Sequence, residues 1–234
     1  QGKVDIVRWI ARLPQIDHTS ENDKRLLDAA EFAARFDNTK EQGKAIWGDD
    51  YSRFLTGLEM AEILADLNLD MDTLVAAILY RTVRDGAQTI QDVRTIFGNT
   101  VAHLIEGVVQ MAAITQTKAV VEDMKVLGSK QAQQDHIRKM LVALVDDVRV
   151  ALIKLAERTC AIRAVKNNED RRYKVAREVF EVYAPLAHRL GIGHIKWELE
   201  DLSFRYLQPE EYKQVARQLD ERRLDRQQFI NNVI

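Results

Sequence analysis

The 234-residue chain holds a single cysteine, Cys160, so an internal disulfide and a zinc site of the CxxC type are both excluded. It has only three prolines (Pro14, Pro185 and Pro209) and ten glycines, too few to punctuate the many short strands of an all-β fold. No apolar run approaches the roughly 18 residues that cross a bilayer, which excludes a membrane-spanning reading. Charge of one sign is also missing. With 34 Lys and Arg against 36 Asp and Glu the net charge is −2, unlike a chain devoted to phosphate backbones. Neither a GxxxxGK[ST] loop nor GxGxxG occurs, and HExxH and EF-hand loops are absent.

What is present favours helices. The chain is 46% apolar and 30% charged, the balance of a folded chain. A chain of this size can bury about 70% of its unfolded surface, enough for a core without metal or disulfide. Apolar residues recur at helical spacing after Ser20, which reads as an N-cap, through Leu26, Leu27, Ala30, Ala33, Ala34 and Phe36. Residues Thr39 to Arg53 read as a loop. Leu58, Ala61, Ile63, Leu64 and Leu67 mark the next helix, which stops at Asn68. Asp70 or Asp72 can cap its successor, whose LVAAILY run (74–80) is apolar nearly all round and therefore central.

Further helices are expected over Thr89–Phe97, closed by Gly98, and after Asn99, Ser129 and Asp147. A long one follows over Asp170–Leu190, kinked at Pro185; Gly191 and Gly193 separate it from Ile195–Tyr206, and Pro209 opens another. The pattern gives about ten or eleven helices and no strand. The expected class is an all-α multi-helix bundle. The missing initial Met, and the helical pattern still running at Gln227–Ile234, fit a piece of a longer polypeptide.

Chemistry is sparse. The five histidines, His18, His103, His136, His188 and His194, include no pair at i, i+3 or i, i+4, so surface or capping roles suit them best. The carboxylate pairs Asp49-Asp50, Asp146-Asp147 and Glu169-Asp170 read as solvated or capping groups. Cys160 reads as structural. Arg81 and Arg84 stand out, because they share a face at the end of the apolar run. Two guanidiniums there could bind phosphate, or form internal salt bridges.

Three segments carry a resemblance: LDMDTLVAAIL (69–79), IKLAER (153–158) and YAPLAHRLGIG (183–193) followed by HIKWELED (194–201). Together they resemble the N-terminal half of long RelA/SpoT homologues, over about Phe54 to Ile230. The resemblance implies an HD-type (p)ppGpp hydrolase domain over 1–190 and a helical connection to a synthetase over 191–234. Active members use Mn²⁺ held by His and Asp. In this chain Thr56-Gly57 stand where those members carry His-Pro, Tyr80-Arg81 stand for His-Asp, and Arg84-Asp85 for the catalytic Glu-Asp. Glu157 replaces the last Asp ligand, and Cys160-Ala161 replace His-Asn. A metal hydrolase needs several imidazole or carboxylate ligands and an open position for water.

The resemblance therefore implies a dead hydrolase of the synthetase-only, RelA-type branch, with no metal in this domain and Mg²⁺ reserved for the synthetase of the parent. It also implies a cytoplasmic protein whose partners are its own synthetase domain and, for the full-length parent, the ribosome and uncharged tRNA. Three roles stay open: regulation of the synthetase, sensing of (p)ppGpp by Arg81 and Arg84 in the old pocket, and hydrolysis of another nucleotide with His103 or His136 recruited. An Arg81–Glu157 bridge filling the metal position is the structural alternative to sensing.

Overall fold

The computed structural model describes residues 4–13, 16–37, 52–116 and 147–219. The expected loop before Arg53, the helix after Ser129, His136, the pairs at 49–50 and 146–147 (Asp147 excepted) and the end at 227–234 lie outside them. All regular elements of the described residues are helical. In chain order they are α1 (Ile6–Ile10), α2 (Ser20–Arg35), α3 (Arg53–Asp66), α4 (Met71–Arg84), α5 (Ile90–Phe97), α6 (Asn99–Gln116) and α7 (Val148–Ala164). After a short 3₁₀ turn come α8 (Glu169–Glu178), a π-helical turn (Val179–Tyr183), α9 (Ala184–Arg189) and α10 (Gly193–Leu207). Residues 209–219 are also helical. The all-α class is as the sequence implies.

Side chains start most of these helices by accepting from a backbone N–H that has no intrahelical partner. Asp70 caps α4 through Thr73, and Asp147 caps α7 through Arg149. Asp72 instead pairs with Arg25 of α2. Thr89 and Asp92 form a reciprocal capping box on α5. At α2 the cap is Thr19, one residue before the expected Ser20: Thr19 holds the extended backbone, and its hydroxyl accepts from the Asn22 N–H. Similarly α6 begins at Asn99 itself, because Gly98, at φ 94°, turns the chain directly from α5 into α6. Asn68 ends the α3 segment at φ 57°, the left-handed conformation that Asn tolerates.

Helix α4 is the hub, with every residue from Thr73 to Thr82 buried. It packs on α2, α3, α6 and α7. Its contact with α3 is very close, since a Cβ on Gly57 would lie 2.5 Å from the Ile78 carbonyl oxygen. Helix α7 is buried from Val150 to Ile162 apart from the half-buried Leu152, and it contains three charged residues, Lys154, Glu157 and Arg158, in that interior stretch. The expected long helix over 170–190 is interrupted before Pro185, in the π turn. Pro185 lacks the N–H that a continuous α-helix requires there and sits in the first turn of α9.

Candidate functional site

The sequence-selected positions fall on three adjacent helices. Thr56 lies on α3, Tyr80, Arg81 and Arg84 on α4 with Asp85 as its C-cap, and Glu157, Cys160 and Ala161 on α7. The arrangement gathers Tyr80, Arg81, Arg84, Asp85 and Glu157. Thr56 is buried but spends its hydroxyl on the Ser52 carbonyl, 2.8 Å away. Cys160 and Ala161 are buried within α7, where burial, reinforced by nearby Glu59, pushes the Cys160 thiol far up and leaves it un-ionised. His103, His188 and His194 are exposed.

Glu157 is the centre, and its side chain is 0% exposed. Its Oε1 accepts from Arg84 Nη1 at 2.7 Å and from Arg158 Nη2 at 2.8 Å. Its Oε2 accepts from Lys154 Nζ and from Arg158 Nε, each at 2.8 Å. Burial alone would raise the pKa of this carboxyl, but Arg158, Lys154 and Arg84 together hold it well below the ordinary value. The bridge expected between Arg81 and Glu157 is present as a long ion pair, beside the shorter one that Arg84 makes. Arg81 Nη1 stays 3.9 Å from Glu157 Oε1, whereas Arg81 Nη2 reaches Asp85 Oδ2 at 3.0 Å. One helical turn separates Arg81 from Asp85, the i, i+4 spacing that brings two side chains together. Arg53 Nε also approaches Asp85, at 3.2 Å, so this carboxylate is shared by two guanidiniums.

Outer partners extend the cluster. Arg158 Nη1 donates to Glu178 Oε2 of α8 at 3.0 Å, and its guanidinium lies 5.6 Å from the centroid of the Tyr183 ring. The Tyr80 hydroxyl is fully buried among these charges without a hydrogen bond. Burial, and next the Glu157 charge, push its pKa well up, so it stays a neutral phenol. Lys154 is 1% exposed, and burial followed by repulsion from Arg158 lowers its pKa to about 8.

Lys154, Arg158, Glu178, Tyr183 and Arg53 were not singled out from the sequence. Their visible signal is the Lys154-Leu155-Ala156-Glu157-Arg158 run, charges placed inside an otherwise apolar helix. Such residues are seldom fully buried unless paired.

The residues present do not fit a divalent cation. The nearest carboxylate to the expected position, Glu157, already has both oxygens committed to cations, and Asp85 is held by two arginines. Among the described residues no group of three or more His, Cys, Asp or Glu side chains is arranged to hold a metal ion. What the cluster does chemically is tie four helices together through three carboxylates: Glu157 of α7 takes Arg84 of α4, Glu178 of α8 takes Arg158 of α7, and Asp85 at the end of α4 takes Arg53 of α3.

Comparison with known proteins agrees with this architecture. Residues 29–193 match the HD domain family. The chain is 49% identical over 180 residues to a GTP pyrophosphokinase of Escherichia coli and 47% identical over 179 residues to one of Photobacterium angustum, covering 76% of this chain and 24% of each relative. It is 41% identical over 176 residues to the bifunctional (p)ppGpp synthase/hydrolase SpoT of Escherichia coli, covering 75% of this chain and 24% of that protein. The chain thus spans about a quarter of the length of these relatives. Among the described residues no helix is long and apolar enough to cross a membrane. The chain belongs to the HD domain family and is similar over most of its length to RelA/SpoT-type (p)ppGpp enzymes.

Proposed function

We propose that this chain is a hydrolase-dead HD domain (residues 1–190) with a helical connection (191–234) in a RelA-type stringent-response factor, and that it regulates the synthetase that follows. The longer polypeptide would transfer pyrophosphate from ATP to GTP or GDP with Mg²⁺, in the cytoplasm, with the ribosome and uncharged tRNA as its partners. The names of the relatives support the parent activity.

One observation carries the loss of hydrolysis: the position of the last metal ligand holds Glu157, whose oxygens accept from Arg84, Lys154 and Arg158. A divalent cation would have to displace these donors and then tolerate their charges at close range, a cost of several kcal/mol even with strong screening. Tyr80, neutral and buried, offers no imidazole in its place. Thr56, Arg81, Cys160 and Ala161 likewise bring no ligand of the required type.

The test has two arms. Purified chain is incubated with ppGpp and Mn²⁺ and pyrophosphate is measured; none above background is expected, and turnover would end the dead-hydrolase reading. In the parent, removing residues 1–200 should change basal synthesis or its activation. Unaltered synthesis in both states would end the regulatory reading. Sensing of (p)ppGpp through Arg81 and Arg84 is the weaker alternative, because a phosphate would compete with Asp85 and Glu157 for both guanidiniums. Saturable heat on titrating ppGpp without metal, lost in the Arg81→Ala, Arg84→Ala double variant, would restore it.

A further inference from the structure

Around Glu157 the positive side chains outnumber the carboxylates that answer them among the described residues. Arg158 has Glu178 as a second carboxylate, at 3.0 Å, and Arg53 and Arg81 share Asp85 at the edge of the cluster. That leaves Arg84 and Lys154, with side chains 10% and 1% exposed, both on Glu157. With Arg158 counted against Glu178, two cations on one carboxylate leave one positive charge in excess. Charges that leave water are ordinarily paired, because desolvation without a counter-charge is costly.

Tyr80 supplies an independent observation. Its side chain is 0% exposed, and its hydroxyl has no hydrogen-bond partner among the described residues. The phenol stays neutral, so its proton is there for an acceptor to take up. A buried hydroxyl in this state has lost its hydrogen bonds to water and gained none. Glu157 acts on it electrostatically, and so do Arg84, Arg158 and Arg81. Glu157 does not serve as the acceptor, because its two oxygens already take four hydrogen bonds from three cations.

We propose that the cluster binds one small inorganic anion, of chloride size and charge, which accepts from the Tyr80 hydroxyl and neutralises the charge that Arg84 and Lys154 leave over. One acceptor-only ligand answers both observations, the donor without an acceptor and the excess of positive charge. A water molecule would answer the first alone. A phosphate, with several oxygens to satisfy, would compete for the guanidiniums with Glu157 and Asp85, whereas a single atom leaves both ion pairs in place. Access is from the edge of the cluster, where the Arg53 and Asp85 side chains are 18% and 22% exposed. The excess charge that opposes a divalent cation thus attracts an anion, and the inference holds whether or not the domain regulates a synthetase.

The test compares the purified chain in gluconate and in chloride at equal ionic strength and pH 7, where Lys154, with a pKa of about 8, carries its charge. Chloride-35 NMR reads binding directly: a chloride held by the protein broadens the bulk line, and bromide should displace it. Replacing gluconate by chloride at about tenfold excess over Kd should also raise the unfolding midpoint by roughly 3–6 °C. Tyr80→Phe keeps the ring and removes the hydroxyl. If Tyr80 only fills space, this variant is at least as stable as the unaltered chain in both salts, because a buried unpartnered donor is gone. With an anion bound, it holds that rank in gluconate alone, and the broadening and the midpoint rise both fall several-fold. Lys154→Met, which removes the excess charge, should lose the broadening too. Absence of saturable broadening in the unaltered chain overturns the proposal. So does broadening that survives intact in Tyr80→Phe, or a chloride-induced midpoint rise equal in the two proteins, the mark of a general salt effect.

Discussion

Glu157 holds together three buried positive groups, Arg84, Lys154 and Arg158, of which Arg158 also has Glu178. Removing one partner of a buried ionic network usually costs 3–5 kcal/mol, because the remaining charges lose compensation while staying desolvated. Glu157→Ala should therefore be destabilised by about 3–5 kcal/mol in urea unfolding, and a loss within 1 kcal/mol of a surface variant would contradict the network. The geometry also ranks the two arginines of α4. At 2.7 Å Arg84 makes a charge-assisted hydrogen bond with Glu157, and at 3.9 Å Arg81 does not. A double-mutant cycle should thus return a larger coupling for Arg84 with Glu157 than for Arg81 with Glu157, with Arg81 coupling instead to Asp85.

Lys154 behaves differently from its neighbours. Its folded pKa, about 8, lies below the ordinary 10.5, so between those values the unfolded chain binds more protons than the native one. Stability should then rise with pH through that window, and fall back as pH drops through 8 and the buried ammonium recharges. The rise is at most about 1.4 kcal/mol per pH unit. In Lys154→Met, which keeps Arg84 and Arg158 on Glu157, that rise should vanish while the protein still folds. An unchanged slope of urea-unfolding free energy between pH 8 and 10 would assign the rise to other groups.

At the scale of elements, α4 shows what a linear pattern can and cannot give. LVAAILY announces a helix buried on all sides, and Asp70 and Thr89 announce starts of helices, because capping and periodicity are local. Pair distances across elements are not local. The sequence places Arg81 and Arg84 on one face near the end of α4, yet which of them hydrogen-bonds Glu157, 73 positions from Arg84, depends on how α4 and α7 are rotated against each other. The same limit hid Lys154 and Arg158, which look like the polar residues of an amphipathic helix until α7 is seen covered on every side. Gly57 is another case: its meaning lies in the 2.5 Å that a Cβ would leave to the Ile78 carbonyl oxygen. Backbone cannot yield as a flexible side chain can, so Gly57→Ala should push α3 from α4 and cost about 1–3 kcal/mol. Thermal unfolding at an unchanged midpoint would show that the two helices tolerate the extra methyl group.

Over the whole molecule the buried carboxylate between α4 and α7 is closed by protein cations, and under the proposed hydrolase-dead reading this closure has a thermodynamic signature. A ligand that binds only the native state stabilises it by RT ln(1 + [L]/Kd), about 2.7 kcal/mol at a hundredfold excess over Kd. For a chain of this size that would lift the unfolding midpoint by roughly 5–10 °C. With Arg84, Lys154 and Arg158 already on Glu157, the fold gains nothing from a divalent cation. The midpoint of this chain should therefore stay within a degree or so in millimolar Mn²⁺ and in EDTA, read by circular dichroism at pH 7. Arg84→Ala should lower that midpoint without creating a response to Mn²⁺, since Lys154 and Arg158 still occupy the carboxylate. A rise with Mn²⁺ in the unaltered chain would mean that the cluster opens for metal, and the hydrolytic reading would have to be reconsidered from that cation outward.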